Sequence, residues 1–259
     1  MKKRGPSIIE IAITLTVIAL AVGAFLFGAS VMRGSGIKKI PVEIAQYRSA
    51  VLNFRNMHAA LPGDFAGATA LWGAASDDPA LCKSTAGTGT NTCNGDMSGL
   101  VGVNFTDAND LNETFRAWQH LANAGLIEGS YTGLSASGRG NDIMARPGID
   151  VPASRVEGAG FLLYYNLTTD GQMRYFPTAN HVIRFAALSP ESGWGAPIIS
   201  AADAAIIDSK LDDGLPATGA VRSARHNRLP ECVTTDDMAT ARYAVDSNTK
   251  GCFLETLVE

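Results

Sequence analysis

Hydrophobic residues run from Ile11 to Met32 without one ionisable side chain, then settle into a three-to-four-residue rhythm at Ile40, Ile44, Tyr47, Val51 and Phe54. The first pattern predicts a helix of about 22 residues, about 33 Å at 1.5 Å per residue, enough to cross a hydrocarbon layer of about 30 Å. It is too long for the apolar stretch of an ordinary secretory signal. The second predicts an amphipathic continuation, loosened or kinked by Gly34, Gly36 and Pro41, since glycine weakens a helix and proline removes a hydrogen bond. That helix should stop near Ala59-Ala60-Leu61-Pro62-Gly63-Asp64, where proline disfavours α geometry in the residue before it and Gly-Asp invites a turn.

Farther along, Phe115, Trp118, Leu121 and Ala122 fall on one face of a helix that Gly125 should end. Apolar runs at Gly160–Thr168, Met173–Phe176 and Val182–Ala187 predict strands, the first two joined by a turn at Thr168–Gly171. Together they predict a small antiparallel sheet packed on the first helix. A last helix is expected from about 200 to 211, with Ala201, Ala204, Ala205 and Leu211 apolar and Asp212-Asp213-Gly214 breaking it. The stretches 73–112 and 129–158, rich in small and polar residues, read as long loops.

Composition changes this picture in two places. With 259 residues and a net charge of -4, the chain carries a core but no electrostatic footprint for nucleic acid. Its one basic cluster, Lys2-Lys3-Arg4, flanks the apolar run, which places the N-terminus in the cytoplasm and the bulk outside by the positive-inside rule. The four cysteines fall as Cys82 with Cys93 and Cys232 with Cys252, spacings that match no zinc pattern and suit disulfides in an oxidising compartment. Their connectivity stays open at this point.

One acid, Glu10, stands at the head of the apolar run, where a charge in a spanning helix costs about 2.5–3.5 kcal/mol. Ser7-Ile8-Ile9-Glu10 is a capping box, which accounts for the acid but not for the Lys-Lys-Arg-Gly ahead of it. The whole stretch Lys2-Lys3-Arg4-Gly5-Pro6-Ser7-Ile8-Ile9-Glu10 resembles the class III signal of type IV prepilins and type II secretion pseudopilins. More weakly, Leu61-Pro62-Gly63-Asp64, residues 114–133 and residues 207–219 resemble recurring segments of pilin-like proteins.

That resemblance implies a leader at 1–5, cleavage by prepilin peptidase between Gly5 and Pro6, and methylation of Pro6. It implies an assembly helix at 6–33, its amphipathic continuation at 34–60 and a periplasmic domain at 61–259. Glu10 would pair with the N-terminal ammonium of an adjacent subunit, so that a buried charge gains its partner through assembly. The implied fold is α+β and pilin-like: a long N-terminal helix, first transmembrane and then amphipathic, on a small antiparallel sheet with long loops and a C-terminal region stapled by Cys232–Cys252. The implied function is that of a structural subunit, a minor pilin or pseudopilin, in a type IV pilus or type II secretion pseudopilus. Its setting would be the bacterial inner membrane, single-pass, and its partners other pilin subunits, the peptidase, an inner-membrane assembly platform and lipid. Some pseudopilins order a C-terminal loop with calcium; Asp208, Asp212 and Asp213 are the candidate ligands here, although Asp-Asp-Gly is also ordinary turn chemistry.

Enzymatic readings find little purchase. The four histidines, His58, His120, His181 and His226, sit in no metalloprotease, nucleophile-elbow or phosphate-loop pattern, so no catalytic residue is expected. The competing reading is a membrane-anchored periplasmic ligand-binding module, neither processed nor polymerised, whose loops with Trp72 and Trp194 recognise a ligand.

Overall fold

The computed structural model describes residues 8–103, 112–137, 144–167, 178–190, 192–224 and 229–259, and for residues 10, 23–35 and 192–194 the backbone alone. Helix α1 spans Ile8–His58 and continues through Pro41 as one helix. From Ile37 onward its apolar stripe enters the core: Ile40, Ile44, Val51 and Phe54 have no accessible surface. The 3.6-residue period places these positions on one side, as the sequence pattern requires. Half-buried Tyr47 wedges between Trp118 and Phe161, with ring centroids 5.3 and 4.8 Å away. After His58 the chain turns: Ala59 takes φ 53, its N–H donates to Arg55 O at 2.8 Å, and Gly63 takes φ 91.

Two short helices, α2 (Ala68–Trp72) and α3 (Pro79–Cys82), precede α4 (Glu113–Asn123). Gly125, at φ 69, reverses the chain just past α4, a conformation that costs a residue without a Cβ nothing. Helix α5 (Ala201–Leu211) starts on Ser200, whose hydroxyl accepts from the Asp203 N–H at 3.1 Å.

The sheet has five strands: β1 (Ala159–Asn166), β2 (Asn180–Ser189), β3 (Ser192–Ala196), β4 (Val221–Arg222) and β5 (Leu254–Leu257). Its order is β1-β2-β5-β4, with β3 also on β2, and every pairing is antiparallel. Strand β1 covers one edge of β2 from Asn166↔Asn180 to Ala159↔Ala187. The other edge is therefore shared by β5, opposite Val182–Phe185, and β3, opposite Ala187 and Ser189. Successive residues of a strand face opposite sides, and β1 is buried continuously from Ala159 to Tyr164, so the sheet is covered on both faces. Between its central strands lies a buried ion pair, Arg184 Nε to Glu255 Oε1 at 2.8 Å, with Tyr164 donating to the same carboxylate. The Arg184 guanidinium also lies 4.3 Å from the Phe253 ring centre.

Several expectations require correction. At the coarse level the molecule is α+β, with an antiparallel sheet and disulfides, but a pilin-like fold built on a transmembrane helix is not supported. Among the described residues no helix is long and apolar enough to cross a membrane. Single-pass inner-membrane anchoring loses its support for the same reason. Helices α2 to α5 run 4–11 residues. Strand β1 pairs with β2; the expected turn at Thr168–Gly171 and strand at Met173–Phe176 lie outside the described residues.

Candidate functional site

Helix α4 directs three polar side chains into the interior, and the fold uses all three to hold loops. Fully buried Arg116 donates to Cys82 O at 3.0 Å, Thr85 O at 2.7 Å and Gln119 Oε1 at 2.9 Å. Gln119 donates to Asn91 O at 3.1 Å and accepts from the Thr92 hydroxyl at 2.6 Å. His120 accepts from the Gly63 N–H at Nδ1, 3.0 Å, and lies 3.0 Å from Cys93 O through Nε2. An accepting Nδ1 assigns the proton to Nε2, so the ring is the neutral tautomer that donates to Cys93 O. Burial pushes the His120 pKa down to about 3, with Arg116 and His58 opposing its charge as well. Burial also lowers Arg116 to about 10. A side chain locked between two backbone groups has no capacity left for proton transfer to a ligand.

These side chains grip a loop closed by the Cys82–Cys93 disulfide, whose Cα atoms are 5.8 Å apart. A second disulfide joins Cys232 to Cys252, Cα atoms 5.0 Å apart, and sets the last strand. The structure thus settles the pairing that spacing left open, and no cysteine is free.

Three carboxylates meet on the α4 side of this loop. Asp64, Asp96 and Glu113 each present an oxygen, and these atoms lie within 4.8 Å of one another. Asp64 and Glu113 are each 3% exposed, whereas Asp96 faces solvent. Asp64 Oδ2 accepts from the Gly99 N–H at 3.0 Å, Asp96 Oδ1 from the Ser98 N–H at 2.9 Å and Glu113 Oε1 from the Asp96 N–H at 3.2 Å. Asp64 Oδ1 is buried and receives no hydrogen bond. Burial, reinforced by the Asp96 carboxyl, pushes Asp64 up to about 6. Close packing fixes the arrangement: a Cβ on Gly63 would sit 2.4 Å from Glu113 O, and one on Gly95 would sit 2.2 Å from Gly63 O. Sequence reasoning missed this trio, since its members lie 32 and 17 residues apart. The available signal was that both aspartates follow glycine, in Pro-Gly-Asp and Asn-Gly-Asp turns.

The expected trio, Asp208, Asp212 and Asp213, also converges within 4.8 Å, but each of its carboxylates already accepts two hydrogen bonds from the surrounding loop and Tyr243. Asp208 accepts from the Gly214 N–H at 3.0 Å and the Tyr243 hydroxyl at 2.7 Å. Asp212 accepts from the Ala220 and Val221 N–H groups, and Asp213 from the Leu215 N–H at 2.9 Å and the Thr218 hydroxyl at 2.6 Å. Burial, with Asp213 and Asp212 adding repulsion, pushes Asp208 up to about 7. Here the carboxylates order the loop after α5 themselves.

Gly5 and Pro6 lie outside the described residues; Glu10 lies in α1, its side chain outside them. His226 and the Trp194 side chain are likewise outside. Trp72, half-buried, packs in an aromatic group with Phe54, Phe65 and His120, at centroid distances of 6.3, 6.3 and 5.5 Å. His181 accepts from the Val101 N–H at 3.2 Å, and burial lowers it to about 4.

Among the described residues, nine of the exposed large hydrophobic side chains lie together on α1. Ile8, Ile9, Ile11, Ile13, Leu15, Val17, Ile18, Leu20 and Val22 are 47–87% exposed, and they occupy every face of the helix. A groove of about 820 Å³ runs between Lys39–Tyr47 of α1 and the 128–131 and 152–155 loops, bridged by Ser154 donating to Glu43 at 2.8 Å.

No family model, curated protein or solved structure matches the chain. The prepilin and pseudopilin resemblance of the N-terminal motif therefore has no support beyond those few residues and is set aside.

Proposed function

We propose that this chain is a structural, non-catalytic subunit that associates with copies of itself through the apolar N-terminal part of α1. The observation that carries this reading is the exposure of apolar side chains on all sides of α1 between Ile8 and Val22. A surface helix of a self-contained domain is apolar on one stripe; a helix apolar all round belongs inside something. One partner groove covers one face, whereas a bundle of like helices covers every face. Nine large side chains are involved. At about 1.5–3 kcal/mol for each fully buried, burying half of that surface is worth on the order of 10 kcal/mol. This is comparable with the roughly 4–15 kcal/mol cost of lost translational and rotational freedom on association. The polar groups resembling catalytic machinery, Arg116 and His120, support the non-catalytic reading because they are occupied by backbone partners.

Sedimentation velocity on the full chain, without detergent and across a hundredfold range of concentration, tests the proposal. Concentration-dependent association is expected, and it should be lost in Ile13→Asp/Leu20→Asp with the thermal unfolding of the domain unchanged. A wild-type chain that stays monomeric throughout, or that associates only when vesicles are added, overturns it.

A further inference from the structure

We infer that Asp64, Asp96 and Glu113 form a binding site for a calcium ion. Two oxygens on one calcium, each at about 2.4 Å, stand at most about 4.8 Å apart, and the three carboxylates each offer an oxygen within 4.8 Å of the others. Each pair of oxygens therefore lies within the span of one calcium coordination sphere. An acidic cluster alone proves little, because carboxylates gather on many surfaces. The second observation is Asp64 Oδ1: 97% of its residue is buried, and this oxygen accepts from no donor. A buried carboxylate with one unpartnered oxygen, on a side chain within reach of two further carboxylates, is a costly arrangement, and a divalent cation removes both the missing partner and the repulsion.

The donor set selects the metal. All three side chains are hard oxygen ligands, which suit calcium or magnesium rather than zinc or copper. The nearest softer groups are committed: Cys93 is in a disulfide, and both nitrogens of His120 are bonded to backbone. Backbone N–H groups of Gly99, Ser98 and Asp96 hold one oxygen of each carboxylate, the kind of outer support that orients metal ligands. Magnesium demands near-ideal octahedral geometry; three carboxylates from two irregular loops and a helix start suit the flexible sphere of calcium better. Exposed Asp96 supplies the route in from solvent. The bound ion would join the turn after α1, the disulfide loop and the start of α4, three segments distant in sequence.

The test uses the full, disulfide-bonded chain, treated with chelator and then titrated with calcium chloride or magnesium chloride. Isothermal calorimetry and urea unfolding provide the readouts. Calcium should bind at one site and, at one hundred times its dissociation constant, raise the folded-to-unfolded ratio about a hundredfold. Asp64→Asn and Asp96→Asn should each abolish that gain, while their metal-free stability should match or exceed that of wild type. Asp213→Asn should retain the full response. A calcium response that survives Asp64→Asn and Asp96→Asn but disappears in Asp213→Asn would move the ion to the α5 loop and overturn the inference. So would a wild-type chain indifferent to calcium. Because Asp96 is exposed, its variant keeps the test decisive if Asp64→Asn fails to fold.

Discussion

Acidification bears directly on His120. The ring is fully buried and accepts the Gly63 N–H at Nδ1 while donating to Cys93 O from Nε2. Protonation would set two donors, Nδ1–H and Gly63 N–H, against each other and bury a charge near Arg116; the pKa is accordingly held down to about 3, against an ordinary value of 6.5. Below pH 6.5 the unfolded chain binds a proton that the folded chain refuses. The stability contributed by the neutral ring is complete above pH 6.5 and is lost as pH falls toward 3. Each pH unit inside that window removes about 1.4 kcal/mol, and the whole window on the order of 5 kcal/mol. His120→Gln offers the same two hydrogen-bonding functions without a titrating group. Urea unfolding of wild type and variant at pH 5.5 and 4.5 isolates the effect, because all other titrating groups, His181 included, are common to both. Wild type should lose about 1.4 kcal/mol more than the variant across that unit. Parallel losses would show that His120 takes up its proton equally in both states and would refute the reasoning.

Two further perturbations address the rest of the framework. Glu255→Gln removes the carboxylate charge that faces the buried Arg184 guanidinium and should cost about 3–5 kcal/mol, whereas Arg184→Met/Glu255→Met should cost less than the sum of its single changes; strict additivity in a denaturant double-mutant cycle would refute the pairing. Cys82→Ser/Cys93→Ser and Cys232→Ser/Cys252→Ser release loops of 11 and 20 residues of separation and should each lower stability by about 3 kcal/mol; an unchanged urea midpoint would mean that the loops are closed by packing alone.

Much of the fold is legible in the sequence because it depends on neighbours. The apolar stripe Ile40, Ile44, Val51 and Phe54 has the helical period and is the buried stripe of α1. Leu61-Pro62-Gly63-Asp64 carries its own turn chemistry and ends that helix. The helix through Phe115, Trp118 and Leu121 stops at Gly125 as backbone freedom dictates, and Ser200 starts α5 as a cap. Strand β5 is different: Leu254–Leu257 reads as a short apolar tail, and only pairing with Val182–Phe185 makes it central. The membrane-crossing reading of Ile11–Met32 came from hydropathy alone, which reports how apolar a segment is and not what covers it.

The sequence by itself determined where α1 and α4 stop and where α5 lies, which helical stripe is buried, and that four cysteines in two local pairs suit an oxidised framework; the short helices α2 and α3 were not legible in it. These are consequences of backbone sterics and side-chain periodicity, which act over a few residues. Tertiary structure alone decided that Arg116 and His120 would be spent on loop carbonyls and amides, that Arg184 would meet Glu255, and that Asp64, Asp96 and Glu113 would converge. Each of these pairs residues far apart in the chain, so the contact follows from how the elements pack rather than from any local pattern. The physical reason is that hydrogen bonds, ion pairs and ligand spheres depend on distance in space, which chain separation does not set until the core has closed.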